Sequence, residues 1–474
     1  MQKGIKNLLH PDRFFSANER ERSIARLLYQ SVVDLPIVSP HGHTDPVWFA
    51  ENKPFKDPAD LFIKPDHYVF RMLYSQGVSL EKLGIPRVDG QASNVDPRDV
   101  WRVFAEHFYL FQGTPSRLWF EHALQEVFGI EERLSSSNAD DIYDRLDASL
   151  QTAEFLPRSL FDRFNIECLA TTEAPLDELG HHDTILKSDW NGNVITTYRP
   201  DPVLDPEYEG FLDNVQRLGE LTSEDVFSFS GYLDAHRKRR AYFQDRGATA
   251  TDHGHPDAYT ANLSSQEKEA LYARVMTGKC DSEDARLFRG QMLTEMALMS
   301  LDDGMVMQLH PGSYRNHNQQ LFKHFGRDKG SDIPMATDYV HGLAPLLNRV
   351  GNDASFSLIV FTLDETAYGR ELAPLAGHYP ALKVGPPWWF FDSPEGMLRF
   401  KRAIHETAGF YNTAGFNDDT RAFLSIPARH DMSRRLDCRF LAELVADHRL
   451  DEEEAADIAR QLAYELAKKA YRLG

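Results

Sequence analysis

Residues 35–43 read LPIVSPHGH, a short apolar run that ends abruptly in His41 and His43. Seven similar runs follow along the chain of 474 residues, and His, Asp, Arg or Trp cluster near their ends. They are IECLATTE (166–173), VITTYRPD (194–201), GATATDHG (247–254), GMVMQLHPG (304–312), FSLIVFTLDE (356–365), LKVGPPWWFF (382–391) and FYNTAGFNDD (410–419). Runs without polar alternation are typical of parallel strands that are buried under helices on both faces.

Segments with helical spacing separate most of these runs. Within residues 283–300, Phe288, Met292, Met296 and Met299 fall on one helical face. Eight strands that alternate with helices predict an α/β fold of the closed (β/α)8 type, a TIM barrel. In such a barrel the active site lies at the carboxyl ends of the strands, where this sequence carries its polar residues.

The lengths of the connections predict how the chain is organised around the barrel. We expect one domain over residues 1–474, because no repeat or low-complexity linker divides the sequence. Residues 50–160 are too many for one strand–helix connection, so they predict a helical subdomain inserted after the first strand. A second helical insertion is expected over residues 206–242. The segment 451–473 starts acidic and ends basic, which predicts a helix on the barrel exterior.

Composition excludes several classes of protein. The chain has 52 Lys and Arg residues against 72 Asp and Glu, a net charge of −20 that repels nucleic acid and anionic membranes. Its three cysteines are far apart and have no CxxC spacing, which favours neither a disulfide framework nor a thiolate zinc site. The sequence has no secretory signal pattern and no run of about 18 apolar residues. We therefore expect a cytoplasmic protein.

The pair His41 and His43 is the sharpest local feature. Residues i and i+2 of an extended strand project to the same side, so two imidazoles here can bind a single divalent ion. An isolated pair of this kind is as often two loop histidines, but the strand end favours a metal site. The last barrel strand lies beside the first, so Asp419, or Asp418 if the register slips by one residue, is expected to supply a carboxylate.

Two other histidine motifs leave more than one interpretation. In TDHGHPD the residues after His255 read as a turn, so we expect one polar contact from Asp252 or His253 rather than a second metal pair. His310, at the end of the fifth run, is a metal ligand, an acid–base group or a hydrogen-bonded core histidine.

Arginines near the strand ends indicate the charge of the ligand. A guanidinium group binds a carboxylate through two hydrogen bonds, so several of them around one metal predict an anionic substrate. A structural salt bridge is the alternative for each one. The three candidates are Arg199, Arg315 and Arg421.

Aromatic residues supply further candidates. Trp388 and its neighbour Trp389 are core residues or a platform for a sugar ring. The pair His67 and Tyr68 lies in the inserted segment, where the pattern by itself is typical of packing.

Eight collinear stretches make a more specific pattern. They are PHGHTDPVWFAENKPFKDPADLF, PDHYVFR, LATTEAPLDEL, YRPD, ATDHG, MQLHPGSYRNHN, WWFFDSPEGM and AGFNDDTRAFLS. Together they resemble the uronate isomerase (glucuronate isomerase) family of the amidohydrolase superfamily. The resemblance implies a metal-binding distorted TIM barrel that works in hexuronate catabolism. It also implies reversible conversion of D-glucuronate to D-fructuronate and of D-galacturonate to D-tagaturonate.

The resemblance assigns roles to individual residues. The family's metal ligands fall on His41, His43 and Asp419, its His–Tyr pair on His67 and Tyr68, its substrate arginines on Arg199 and Arg421, and its strand-five histidine on His310. The fourth run has Asp252 and His253 where binuclear relatives carry a bridging lysine, and the sixth has Asp364 where they carry histidine. One metal ion is therefore expected rather than two. Gly42 and Phe391 depart from the residues more usual in the family.

An aldose–ketose isomerase must open the sugar ring, remove the C2 proton and return a proton to C1 through an enediolate. One divalent metal ion can offset the negative charge, and zinc suits two imidazoles and a carboxylate, with manganese as an alternative. We expect Asp419 to assist ring opening and Tyr68 or His67 to move the proton. His310 is a further catalytic candidate. Arg199, Arg421, Arg315 and Trp388 are the expected contacts to a small hexuronate.

Two rival functions and one assembly state complete the expectations. A metal-dependent hydrolase of the same superfamily would use Asp419 to take a proton from water that attacks a lactone or amide. A barrel without activity would act as a scaffold, but a scaffold does not require the complete ligand set. A chain with this much inserted helix is expected to form a homo-oligomer.

Overall fold

The fold consists of short parallel strands among many helices. The structure is a computed structural model that describes residues 8–91 and 94–474. The strands in these residues are β1 Ile37–Ser39, β2 Ile166–Ala170, β3 Val194–Ile195, β4 Ala250–His253, β5 Val306–Leu309, β6 Ser313–Tyr314, β7 Ile333–Pro334, β8 Leu358–Val360 and β9 Leu382–Val384.

Helices account for most of the remaining secondary structure. The α-helices of the described residues are α1 Glu19–Val32, α2 Pro46–Glu51, α3 Pro58–Phe62, α4 His67–Tyr74, α5 Pro97–Glu106, α6 Pro115–His122, α7 Ala139–Leu150, α8 Pro157–Arg163, α9 Gly180–Leu186, α10 Asp201–Leu204, α11 Phe211–Thr222, α12 Phe229–Gln244, α13 Ser265–Met276, α14 Ser282–Asp303, α15 Gln319–Phe325, α16 Tyr339–Val350, α17 Gly369–His378, α18 Pro394–Ala408, α19 Ile426–Ala446, α20 Glu452–Arg460 and α21 Leu466–Ala470. Short 3-10 turns span Phe108–Phe111, Ala153–Phe155, Trp389–Phe391 and Phe423–Ser425, and π-helical turns span Ala123–Val127 and Gln461–Glu465.

The strands form two parallel sheets and one small antiparallel pair. The parallel sheets have the orders β1-β2-β3 and β4-β5-β8-β9, and β6 pairs with β7. Isolated bridges from Tyr198 to Glu173 and to Thr251 connect the two parallel sheets. The predicted α/β class with parallel strands is confirmed, and seven of the eight predicted runs contain a strand of these sheets.

The eighth predicted run, residues 410–419, differs from the prediction. Within it Thr413 makes a single parallel bridge to Val384, and no continuous ladder forms in these described residues. Gly415 and Asp419 both have positive φ, of 73° and 38°. A backbone in that region cannot stay extended, so the run turns after one bridge.

Aspartates at helix starts determine where the inserted helices begin. Asp57 and Asp96 cap α3 and α5, and each is followed by a proline at the first helical position. Asp66 accepts a hydrogen bond from the backbone N–H of Tyr68, so α4 begins at His67. The described residues of 50–160 are helices and connecting turns. Their aromatic side chains pack together, with Trp101 against Phe104 and its neighbours.

The predicted helical face within residues 283–300 is confirmed. Its four apolar side chains, Phe288, Met292, Met296 and Met299, are buried in α14. Among the described residues, no helix has the length and apolar character needed to span a membrane.

The last part of the chain departs from its predicted exterior position. Helix α20 packs on α1 and α19, but the chain then turns through α21, and Tyr471 becomes fully buried among residues of β4, β5 and β8. Gly415 makes this path possible, because a Cβ atom at its position would lie 2.7 Å from the backbone nitrogen of Ala467.

The close approach at Gly415 predicts a large loss of stability for Gly415→Ala. Left-handed backbone costs a residue with a Cβ atom about 1–2 kcal/mol, and overpacking against a backbone atom costs about 1–3 kcal/mol more. Gly113→Ala is the matched control, because Gly113 has φ of 76° and no atom within 4 Å of the added Cβ. Denaturant unfolding of both variants measures the difference. Equal losses would show that the packing of α21 on Gly415 contributes nothing.

Candidate metal centre and active site

The carboxyl ends of the parallel strands open into a cavity of about 920 Å³. All ten side chains that the sequence analysis assigned to a site line this cavity. They are His41, His43, His67, Tyr68, Arg199, His310, Arg315, Trp388, Asp419 and Arg421.

His41, His43 and Asp419 form the centre of the site. The Nε2 atoms of His41 and His43 lie 3.5 and 3.0 Å from Oδ1 of Asp419. The ligand atoms of the three residues all lie within 4.8 Å of one another, so the group could hold a metal ion. Asp418 does not join them, because its buried carboxylate accepts a hydrogen bond from His430 at 3.0 Å. The geometry therefore selects Asp419 over Asp418.

The ionisation of this group suits a divalent cation. Burial lowers the pKa of His41 to about 4, so its imidazole is neutral and has a nitrogen lone pair to share at neutral pH. Burial opposes the charge of Asp419, but His41 and His43 outweigh it and hold the pKa of Asp419 well below its ordinary value. One carboxylate and two imidazoles are the donor set of many zinc sites.

Asp252 connects the neighbourhood of His41 to Arg199. It is fully buried, and its two oxygens contact Nδ1 of His310 at 2.6 Å and Nη1 of Arg199 at 3.0 Å. The His310 ring stacks on His41, with a centroid distance of 4.9 Å, and the edge of Trp388 lies 4.7 Å away. His310 is thus a hydrogen-bonded residue in the wall of the site, with Nε2 buried and unpaired in the described part of the protein.

The second HGH motif supports Arg199 rather than forming a metal pair of its own. His253, His255 and Asp201 could in principle ligate an ion, but Asp201 already accepts hydrogen bonds from Arg199 Nε at 2.9 Å and from Gly254 N at 3.2 Å. A guanidinium group in contact with the carboxylate repels a cation there. A Cβ atom at Gly254 would lie 2.2 Å from Nη2 of Arg199, so only glycine leaves room for this arginine.

Arg421 and Arg315 share a carboxylate that the sequence analysis missed. Asp328 lies 2.9 Å from Arg421 and 3.8 Å from Arg315, in a turn where its own φ is 59°. Burial opposes its charge, but these two arginines hold the pKa of Asp328 well below its ordinary value. Its signal in the sequence was an acidic residue between Gly326 and Gly330, which has no strand or helix pattern.

His67 and Tyr68 line the cavity from the start of α4. Their rings stack at 4.7 Å, and the His67 ring meets Trp389 edge-on at 5.6 Å. Burial, together with the charge of Arg421, lowers the pKa of His67 to about 3. Burial also raises the pKa of Tyr68 well above its ordinary value. At neutral pH the pair therefore consists of a neutral imidazole and a protonated phenol.

Two carboxyl groups that the sequence analysis did not single out have raised pKa values. Burial raises the pKa of Asp392 to about 6, although Arg429 contacts it. Burial also raises the pKa of Glu173 to about 7, although Thr196 donates a hydrogen bond to it. Glu173 lines the cavity at the end of the second predicted run, and that position was the available signal.

Parallel strands with two histidines and an aspartate at their carboxyl ends are the features of metal-binding α/β enzymes. Residues 7–471 match the protein family described as glucuronate isomerase. The uronate isomerase of Xanthomonas axonopodis pv. citri is 62% identical over 465 residues, which are 98% of each chain. The chain therefore belongs to the glucuronate isomerase family and is an isomerase.

Solved structures agree with this assignment. The crystal structure of glucuronate isomerase from Caulobacter crescentus is 60% identical, has a TM-score of 0.97, and the match covers 98% of this chain and 97% of the other. The uronate isomerase of Thermotoga maritima is 28% identical with a TM-score of 0.90, over 98% of this chain and 99% of the other.

The raised pKa of Glu173 predicts a pH-dependent effect of Glu173→Gln. Between the ordinary value of 4.5 and about 7, the folded chain binds more protons at this position than the unfolded chain. The free energy of unfolding of the parent therefore falls as pH rises through this range, by about 1.4 kcal/mol for each pKa unit. The variant lacks this loss and should gain about 2–3 kcal/mol relative to the parent between pH 5 and pH 8.

Denaturant unfolding of the metal-free protein at several pH values measures this gain. Glu453→Gln, at an exposed position of α20, is the control for the loss of one carboxylate. A difference between Glu173→Gln and the parent that stays constant with pH would contradict the raised pKa.

Proposed function

We propose that this enzyme interconverts D-glucuronate with D-fructuronate and D-galacturonate with D-tagaturonate, in the breakdown of hexuronates. The observation that supports this proposal most directly is that His41, His43 and Asp419 lie in one cavity with three arginines. The two histidines and the aspartate suit a metal ion, and the arginines suit the carboxylate of a uronate. The family matches favour this activity over the rival hydrolase.

The metal ligands in this proposal are His41, His43 and Asp419, and zinc is the ion that their chemistry favours. The bound ion would supply positive charge next to the oxygens on which an enediolate develops its negative charge. Asp419 has a second carboxylate oxygen, which can take a proton from the sugar hydroxyl as the ring opens.

The cavity walls divide the remaining tasks. Tyr68 keeps its proton at neutral pH and can donate it to a sugar oxygen, while His67 has a neutral imidazole that can accept one. His310 is oriented by Asp252 and faces His41, so it can also exchange a proton with the substrate. We propose that these three residues move the protons of the isomerisation.

The substrate carboxylate would be held by arginine. Arg421 pairs with Asp328 at 2.9 Å, and Arg315 lies 3.1 Å from Asp332 and 3.8 Å from Asp328, so both guanidinium groups already face carboxylates and can bind that of a uronate. Arg199 is held by Asp201 and Asp252, which suits a contact to sugar hydroxyl groups or to the carboxylate. Trp388 offers an apolar edge in the same cavity.

A distorted TIM barrel is the proposed architecture around this site. In its support, the bridges at Tyr198 and Thr413 extend the parallel order from β1 to the eighth run. The backbone N–H of His43 also donates to the carbonyl oxygen of Thr420 at 3.0 Å, so the first and last runs are neighbours. We further propose that residues 50–160 form an inserted subdomain and that the chain forms homo-oligomers in the cytoplasm, where its free cysteines remain reduced.

A proton NMR time course in heavy water tests the activity. With D-glucuronate or D-galacturonate and added Zn²⁺ or Mn²⁺, we expect a ketose product with deuterium at C1, because the enediolate is protonated from exchangeable groups. A ketose without deuterium would contradict the exchangeable proton path. Unchanged uronates together with hydrolysis of a uronolactone would contradict the isomerase and favour the hydrolase.

Paired variants of the neighbouring aspartates test the metal assignment. Asp419→Asn should lower metal content and reduce kcat at least about 100-fold, because an amide is a poor ligand and a poor base. Asp418→Asn should keep its metal, because Asp418 bonds to His430 instead. Metal analysis and the NMR rate after chelation and reloading measure both effects. Equal metal loss in the two variants would contradict the choice of Asp419.

A further inference from the structure

A chain of buried hydrogen bonds runs from Tyr471 to His41. The Tyr471 hydroxyl accepts a hydrogen bond from Nδ2 of Asn417 at 2.9 Å and donates one to Oε1 of Gln308 at 2.9 Å. Nε2 of Gln308 in turn lies 3.4 Å from Nδ1 of His41. Tyr471 and Gln308 are both fully buried, so water does not substitute for these contacts. None of these contacts has a part in the chemistry described above.

The donor-to-acceptor direction of these hydrogen bonds matters for metal binding. A histidine that binds metal through Nε2 must carry its proton on Nδ1, and that N–H needs an acceptor. In the structure the amide nitrogen of Gln308 faces Nδ1 of His41 at 3.4 Å, an orientation that matches the tautomer with its proton on Nε2, the nitrogen that faces Asp419. This arrangement suits the protein without metal and blocks the nitrogen that faces Asp419.

A half-turn of two amide groups reverses the chain. An amide exchanges its oxygen and nitrogen on such a rotation with almost no change of shape. Oε1 of Gln308 then accepts from Nδ1–H of His41, and its Nε2 donates to the Tyr471 hydroxyl. The hydroxyl donates to Oδ1 of Asn417, and Nδ2 of Asn417 then occupies the buried position where Oδ1 has no hydrogen-bond partner among the described residues. The reversal gives up a weak 3.4 Å contact from Gln308 to the carbonyl of Thr251.

We propose that Tyr471 and Gln308 are positioning residues that select the metal-binding tautomer of His41. The proposal rests on the metal ligation proposed for His41. A His41 that holds a divalent cation through Nε2 would release the Nε2 proton and carry its one ring proton on Nδ1, so the ring would stay neutral. The reversed hydrogen bonds would then hold that tautomer, and the packing of α21 would keep Tyr471 in place. Tyr471, which directly follows α21, thereby contributes to the affinity of a metal site that lies at the opposite ends of the strands.

Chelator competition on the full-length protein loaded with Zn²⁺ tests this role. Gln308→Leu has no acceptor and should weaken Zn²⁺ affinity about 10–100-fold, as losses of such outer partners do. Gln308→Glu keeps an acceptor for Nδ1–H and should stay within about threefold of the parent or bind more tightly. Tyr471→Phe keeps the ring in place and should weaken affinity about three- to tenfold.

Tyr272→Phe is the matched control. Tyr272 is also buried and donates one hydrogen bond, to the carbonyl of Val226 at 2.6 Å, but it has no connection to His41. It should lower thermal stability about as much as Tyr471→Phe and leave Zn²⁺ affinity unchanged. Equal affinities of the two phenylalanine variants would overturn the proposal, as would Gln308→Glu binding as weakly as Gln308→Leu.

Nitrogen NMR of ¹⁵N-histidine-labelled protein adds a direct readout. On Zn²⁺ binding, the His41 signals, assigned by their absence in His41→Asn, should change from the Nε2–H to the Nδ1–H tautomer. A metal-bound His41 that keeps Nε2–H would overturn the proposal. If the parent binds metal as weakly as Asp419→Asn, the ligand assignment itself has failed, which separates that outcome from a failure of the positioning role.

Discussion

The contact of Asp419 with His41 and His43 is the interaction on which the rest of the site depends. It joins the first predicted strand to the last, and it places at one point three side chains that could hold a metal ion. The charge of Asp419 is stable there only because the two imidazoles face it, since burial by itself opposes that charge. The residues around this point are arranged to keep His41 in place, with His310 on its face and Gln308 behind its ring.

Every arginine assigned to the substrate is already paired with a carboxylate. Asp252 and Asp201 hold Arg199, and Asp328 lies between Arg421 and Arg315. These side chains are only partly buried, so the pairs hold the guanidinium groups in position more than they offset a cost of burial. Under the proposed function, a uronate carboxylate that binds Arg421 would compete with Asp328 for that guanidinium group.

Strand-end position was enough to predict that His41, His43, Asp419 and the arginines would lie together, because parallel strands deliver their carboxyl ends to one place. His67 and Tyr68 were different. Their local pattern indicated packing, and only the resemblance of PDHYVFR to the family gave them a role. Glu173 had the right position but received no role, because its raised pKa comes from burial among side chains that are distant in the chain. The prediction of an eighth strand within residues 410–419 was wrong beyond Thr413, where positive φ angles interrupt the extended backbone.

The sequence by itself determined the α/β class, the convergence of ten site residues and the family, because these depend on local runs and collinear motifs. Strand spacing left Asp418 open beside Asp419, and the resemblance placed the expected ligand on Asp419; the tertiary structure adds the physical reason, because Asp418 is bonded to His430. It also decided that Tyr471 enters the interior rather than covering the outside. The physical reason is that the path of Tyr471 depends on the contact of α21 with Gly415, and no period in the sequence encodes a contact between distant segments.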